Sequence, residues 1–210
     1  MDPDLLPLRR PARGRRLLAA AVLIAGSAGV LASSENPCAA ARSDARVAEP
    51  DEPGEPLRVS GVVYRSDGIT PAPGVILFVY HTDAKGLYAP EPNAEPRLRA
   101  WLRTDAQGRY AFTTIRPAPY PNARGPAHVH TELWGEGVPP QYGPELLFAD
   151  DPRVPQAQRE KSSALGRFAF VKTPEKREGV WVVVGFDVRS KTTGDARLTG
   201  LAACGVGRSP

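Results

Sequence analysis

Short apolar runs alternate with clusters of proline and glycine from Leu57 onward, and this spacing restricts the fold more than any other feature. The chain has 23 prolines and 20 glycines in 210 residues, so turns must be frequent, which favours strands over helices. Only residues 155–165 have a helical pattern. The sequence therefore predicts an all-β fold, a β-sandwich of about eight or nine short strands. The predicted strands are 57–64, 75–80, 98–103, 109–115, 127–134, 145–148, 168–172 and 180–188.

The N-terminal part has the layout of an export leader. Several arginines between positions 9 and 16 precede the apolar run 17–32, as in a secretory signal peptide. An uncleaved membrane anchor is the alternative, although the run is slightly short for a bilayer. We expect an exported protein, in the periplasm or outside the cell. The paired Arg9 and Arg10 indicate twin-arginine export, but the motif is incomplete, so the Sec route stays open.

The remaining chain divides into three predicted segments. Residues 33–56 are rich in Ala, Glu, Asp and Pro without periodicity, which predicts a flexible linker. The sandwich is expected over 57–190, and 191–210 is expected to be a C-terminal tail. Cys38 and Cys204 would pair in an oxidising compartment, and two unpaired cysteines are the alternative.

The charge distribution argues against nucleic acid as a partner. The net charge is +4, but residues 1–32 contain five arginines and only two aspartates, a surplus of +3. The rest of the chain carries only +1, so the basicity belongs to the leader and not to a binding surface. We expect membrane contact only through an uncleaved leader, and the sequence leaves the oligomeric state open.

Two of the three histidines, His128 and His130, are separated by one residue in a predicted strand. Positions i and i+2 of a strand project from the same face, so the two imidazoles can converge on one point. Tyr120 precedes them in a proline-bracketed loop that limits its movement. A tyrosine and two histidines predict a metal site, and phenolate with imidazole favours ferric iron over zinc, copper or magnesium.

Three blocks of the chain, in order, resemble the intradiol ring-cleavage dioxygenases such as protocatechuate 3,4-dioxygenase and catechol 1,2-dioxygenase. The blocks are residues 74–88, residues 104–121, and residues 126–130 followed by 147–152. The resemblance covers about residues 57–155. It is closer to short, exported bacterial proteins of this kind, since the helical N-terminal region of catechol 1,2-dioxygenases is missing.

The resemblance implies a β-sandwich that holds a non-haem Fe(III) ion through two tyrosines and two histidines. Carried over to this sequence, the metal ligands would be Tyr88, Tyr120, His128 and His130. The implied reaction is O2-dependent cleavage of a catechol-type ring between its two hydroxylated carbons, giving a cis,cis-muconate-type diacid. The partners would thus be a small aromatic diol and O2. Tyr120 is our choice for the ligand that leaves when the diol binds.

Two positions depart from the better-known members of that family. Those proteins have an arginine directly before the Pro-Ala-His run, where this chain has Gly125. Arg124, one residue further back, is the candidate to stabilise charge on the ring if the loop bends inward. Glu145 stands where the family commonly has glutamine, which would place a negative charge near the site.

Two other interpretations compete. A cupin-like site could use the His-x-His pair with Glu132 or Glu136, but it leaves the tyrosine blocks unexplained. The sequence also resembles transthyretin-like or regulatory β-modules. An exported, non-catalytic module, with or without an inert metal site, is therefore the main alternative to an enzyme.

Overall fold

The computed structural model describes residues 36–91, 94–121, 125–177, 181–195 and 197–198. Over these residues the chain forms two six-stranded sheets, one short α-helix and one 3-10 turn. The elements are β1 (Asp44–Arg46), β2 (Pro56–Tyr64), β3 (Ile76–His81), β4 (Leu98–Arg103), β5 (Arg109–Ile115), β6 (His128–Gly135), β7 (Val138–Tyr142), β8 (Leu146–Phe148), α1 (Gln156–Ser163), the 3-10 turn Gly166–Phe168, β9 (Val171–Lys172), β10 (Glu175–Arg177), β11 (Trp181–Gly185) and β12 (Val188–Arg189).

The first sheet is organised around β2. Its strand order is β1-β5-β2-β11-β10, and β12 also pairs with β2. β2 runs antiparallel to β5 and parallel to β11, which lies more than a hundred residues later in the chain. Alternating residues of β2 are buried, including Leu57 and Val59, as expected for a strand with one face on the core.

The second sheet carries the two histidines. Its strand order is β4-β3-β6-β8-β9, with β7 also paired to β6. The two sheets enclose a core that includes Leu77 and Val79 of β3 and Phe112 of β5. The opposite face of β3 is covered as well, because Ile76 and Phe78 pack with Cys38 and Trp134. Burial on both faces explains why β3 is a continuous apolar run.

The all-β sandwich is confirmed, but the structure has more strands than predicted. The unpredicted β7 contains Pro139 and Pro140. Among the described strands it pairs only with β6, and prolines are tolerated at such a sheet edge. The run predicted at 180–188 is divided into β11 and β12. The division falls at Asp187, whose carboxylate accepts the backbone N–H of Val62 at 2.9 Å.

The predicted linker over 33–56 differs from the structure in its described part, residues 36–56. This segment forms β1, which pairs in parallel with β5, and it buries Val47 and Ala48 in the main core. The composition is polar because only these few side chains face the core. The described residues of the predicted tail over 191–210 also pack on the sandwich. Leu198 is buried, and Lys191 donates its backbone N–H to Gln141 at 2.5 Å.

Two predictions concern residues outside the described part of the chain. The leader, residues 1–32, and Cys204 lie outside the described residues. Cys38 is buried and is not a free thiol, and its pairing with Cys204 stays a prediction. Among the described residues, none of the helices has the length and apolar character needed to cross a bilayer.

Candidate metal centre

The four predicted ligands lie together on the outer side of the second sheet. His128 and His130 project from the same face of β6, while Tyr88 comes from the loop after β3 and Tyr120 from the loop after β5. The two Nε2 atoms are 2.9 Å apart. The Tyr88 hydroxyl lies 2.7 Å from Nε2 of His130, and the Tyr120 hydroxyl lies 3.0 Å from Nε2 of His128. The two hydroxyls are 2.5 Å apart.

This cluster has the dimensions of one metal's coordination shell. With metal–ligand bonds of about 2.0–2.2 Å, neighbouring donor atoms stand roughly 3 Å apart. The four donor atoms here are separated by 2.5 to 3.5 Å along the contacts that join them. The spacing of the two phenol oxygens and two imidazole nitrogens is thus suited to a single cation.

The second nitrogen of each ring is hydrogen-bonded away from the cluster. Nδ1 of His128 donates to the carbonyl of Pro126 at 2.9 Å. Nδ1 of His130 faces the Glu145 carboxylate at 3.3 Å. With its proton on Nδ1, each ring directs the Nε2 lone pair to the point where the tyrosines converge, as metal-binding histidines do.

Glu145 orients a histidine and is not a fifth donor in this geometry. Ligating atoms of His128, His130 and Glu145 all lie within 4.8 Å of one another. However, the carboxylate contacts Nδ1 of His130, whereas it is Nε2 that faces the tyrosines. The hydrogen bond with His130 holds the pKa of Glu145 below its usual range, so the carboxylate is charged at neutral pH.

Hydrogen bonds between the two tyrosine loops fix their separation. The Thr82 hydroxyl donates to the carbonyl of Ala118 at 2.6 Å, and the Ala118 N–H donates to the carbonyl of Asp83 at 3.1 Å. The Asp83 carboxylate accepts two backbone N–H groups of the turn that leads to Tyr88. The same hydrogen bonds between the two loops therefore position both Tyr88 and Tyr120.

Contacts outside the predicted set also support the site. Arg97 donates its backbone N–H to the carbonyl of Tyr88 at 2.8 Å, and its guanidinium forms a two-pronged ion pair with Glu52 at 2.5 and 2.8 Å. Asp151 accepts the N–H of Ala127, the residue before His128, at 2.8 Å. Sequence patterns gave no sign of the pairing with Glu52, because its partner lies 45 residues away.

Besides the two prospective tyrosine ligands, the ring of Tyr80 borders the histidines. Tyr80 lies opposite His130 in the β3–β6 register and stacks on it, with centroids 4.6 Å apart and planes at 20°. Burial raises the pKa of the Tyr80 phenol and of the Tyr88 phenol well above the usual value. Without a cation both phenols are neutral, and a strongly Lewis-acidic cation would be needed to ionise Tyr88.

The third histidine, His81, is a structural residue. It is fully buried, its Nδ1 donates to the carbonyl of Thr82 at 2.7 Å, and its Nε2 accepts from the Thr114 hydroxyl at 2.7 Å. Both ring nitrogens are used, so His81 has no donor atom left for a metal. Arg124, the predicted charge-stabilising residue, lies outside the described residues, and its role stays a prediction.

His81 should make stability depend on pH in a defined window. Burial lowers its pKa to about 4, whereas an unfolded histidine titrates near 6.5. The unfolded chain binds the extra proton first, so stability is expected to fall by roughly 3 kcal/mol as pH decreases from about 6.5 to about 4. Denaturant unfolding of wild type and His81→Gln across this window measures the effect. If the free energy of unfolding depends on pH equally in the two proteins, His81 is not the cause.

A β-sandwich with two tyrosines and two histidines converging on one face is the arrangement expected of a protein that binds a single metal ion. Sequence comparison identifies the family, since residues 32–189 match the family model described as Dioxygenase. The chain belongs to the intradiol dioxygenase family, which confirms the resemblance seen in the sequence.

Individual relatives agree with this assignment. The protocatechuate 3,4-dioxygenase beta chain of Burkholderia cepacia is 31% identical over 145 residues, which is 58% of this chain and 60% of the relative. The chlorocatechol 1,2-dioxygenase of Pseudomonas sp. (strain P51) is 38% identical over 89 residues, or 40% of this chain and 35% of the relative. This chain thus spans less than two thirds of either protein.

Solved structures share the fold. Catechol 1,2-dioxygenase from Acinetobacter sp. ADP1, inhibited by bound mercury, has a TM-score of 0.57 at 22% identity, covering 71% of this chain and 57% of that one. The dioxygenase domain of a carbohydrate-binding fusion protein from Streptomyces sp. SirexAA-E has a TM-score of 0.54 at 24% identity. The match covers 73% of this chain and 90% of that one. At these identities the likeness concerns the fold.

Proposed function

We propose that this protein is a non-haem Fe(III) dioxygenase that cleaves a catechol-type ring between its two hydroxylated carbons, giving a cis,cis-muconate-type diacid. The observation that carries the proposal is the convergence of Tyr88, Tyr120, His128 and His130 in a member of this family. Such a reaction would belong to the breakdown of aromatic compounds.

The donor set supports ferric iron as the cofactor. Phenolate is a hard, anionic oxygen donor and imidazole suits iron, whereas sites for magnesium use carboxylate and carbonyl oxygens. Two phenolates would offset two of the three positive charges. Burial disfavours the charged form of Tyr88, so the phenolate would form only with a strongly polarising cation in place.

When bound, the ferric ion would supply the Lewis acidity that ionises the diol and prepares its ring for reaction with O2. The residues of the chain have separate tasks. His128 and His130 are held rigidly by Pro126 and Glu145 and would fix the orientation of the site. Tyr120 is the residue we assign to be displaced, and its phenolate oxygen would accept a proton from the incoming diol and become a neutral phenol. The stacked Tyr80 ring excludes water from one side of His130.

The colour of the iron-loaded protein tests the cofactor. We expect a burgundy protein with a broad visible tyrosinate-to-iron absorption band, weakened or lost in Tyr120→Phe. Tyr142→Phe, which changes an exposed tyrosine outside the cluster, is the matched control and should keep the band. A colourless, iron-free protein after expression with iron would contradict the proposal.

Oxygen consumption tests the reaction. With a panel of catechols, the iron-loaded protein should take up one O2 per diol consumed and form products that absorb as muconate-type diacids. Tyr120→Phe should lower this rate by on the order of 100-fold, within the range found for groups that handle protons in catalysis.

A non-catalytic, exported β-module with an inert metal site is the second candidate. The position of Glu145 favours it, because this carboxylate contacts His130 and adds negative charge beside two prospective phenolates. Colour without O2 uptake across the panel would support this candidate. In either case we propose that residues 1–32 direct export, which fractionation of cells that express the full chain would test.

A further inference from the structure

A pocket lies beside the candidate metal centre, and Glu145 is the residue that links the two. Its volume is about 730 Å³, and it lies between the C-terminal part of α1, β8 and the segment after β12. Glu145 is one of its lining residues, whereas none of the four prospective ligands lines it. It is thus separated from the converging donor atoms by Glu145 and the ring of His130.

The pocket is polar and cationic at the rim and apolar inside. Among the described lining residues the charged ones are Lys161, Arg189 and Lys191 against Glu145, an excess of positive charge. All three cations are exposed. The walls include the buried Leu147 and the half-buried rings of Phe168 and Phe170. A ligand that fits has an anionic end and an apolar or aromatic body.

We propose that this pocket is a binding site for a small amphipathic carboxylate, such as an arylalkanoic acid. The carboxylate binds between Lys161 and Arg189, whose guanidinium lies 5.3 Å from the centroid of the Phe168 ring. The apolar body packs on the half-buried rings of Phe168 and Phe170. Lys191 is the less suitable cation, because its ammonium already donates to the carbonyl of Tyr142 at 2.7 Å. The site does not use the metal and is independent of the proposed reaction.

Calorimetry with the full chain, stripped of iron by a chelator, tests the site. The probes are 3-(4-hydroxyphenyl)propanoate and its methyl ester, which removes the charge and keeps the rest. The acid should bind saturably, one molecule per chain, and the ester at least tenfold more weakly. Lys161→Gln and Arg189→Gln should each weaken binding of the acid about tenfold, the effect expected for one charge-assisted hydrogen bond.

Arg58→Gln is the matched control, because Arg58 is exposed on β2 and does not line the pocket. It should leave the affinity unchanged. Amide NMR spectra of the same complex locate the probe, with shifts expected at Lys161 and Phe168. Absence of saturable binding, equal affinity for the ester, an equal loss in Arg58→Gln, or shifts confined to Tyr88 and Tyr120 would each overturn the proposal. Loss of ring cleavage alone would not affect it.

Discussion

Replacement of His128 by alanine is expected to lower the affinity for Fe(III) by on the order of 100-fold or more. Even residues that only orient a metal ligand typically contribute 10- to 100-fold to affinity, and His128 would be a ligand itself. Its Nε2 lies 2.9 Å from Nε2 of His130 and 3.0 Å from the Tyr120 hydroxyl, so its loss opens the cluster on one side. Iron per chain after dialysis against a weak chelator, with the visible band, measures the change.

The fold should survive this substitution, because His128 is only half-buried on the outer face of the second sheet. Unfolding temperature provides that check, and added imidazole should partly restore iron by occupying the space that the ring leaves. His81→Gln is the control within the same residue type. It should keep its iron, since both ring nitrogens of His81 are bonded to Thr82 and Thr114. Unchanged iron content in His128→Ala would refute the ligand assignment.

Replacement of Gly86 by alanine is expected to disturb both tyrosines at once. Gly86 has φ +81°, and a Cβ atom there would overlap the carbonyl oxygen of Pro119, the residue before Tyr120. The left-handed backbone alone costs about 1–2 kcal/mol in alanine. The overlap adds to this cost, because the loops of Tyr88 and Tyr120 must move apart. We expect a loss of stability of about 3 kcal/mol and a fall in iron affinity of at least tenfold.

Gly74→Ala separates these two contributions. Gly74 has φ +69°, close to that of Gly86, but a Cβ there meets nothing within 4 Å. This variant should show the backbone cost alone and bind iron as the wild type does. Denaturant unfolding and iron titration of both variants give the comparison. Equal iron affinity in the two variants would show that the contact between the tyrosine loops does not position the site.

The sequence predicted those elements whose pattern is local. Strands β4 and β5 begin and end where their apolar alternation does, and α1 lies within the predicted helical stretch. In contrast, β1 contains Asp44 and Arg46 around a single alanine, and its pairing with β5 depends on residues about 67 positions away. No local pattern contains that information, because the partner strand supplies the apolar side chains.

The ligands of the candidate site could be predicted from the sequence, whereas the residues that support them could not. The period of a β-strand places His128 and His130 on one face. The family resemblance implied Tyr88 and Tyr120 as the other two metal ligands. The supports of these residues come from distant parts of the chain. Glu52 binds Arg97 beside the Tyr88 loop, and Asp151 holds the backbone before His128. Their side chains are ordinary surface types in the sequence, and only the folded arrangement gives them a role.

The parallel pairing of β2 with β11 has a consequence for the newly made chain. Val59 of β2 pairs with Val184, so one edge of the central strand of the first sheet stays open until synthesis has passed residue 185. An open apolar edge is a template for pairing with other chains. Aggregation of ribosome-bound or truncated forms that end before β11 should therefore exceed that of the full chain, and the complete sheet is a late product of folding.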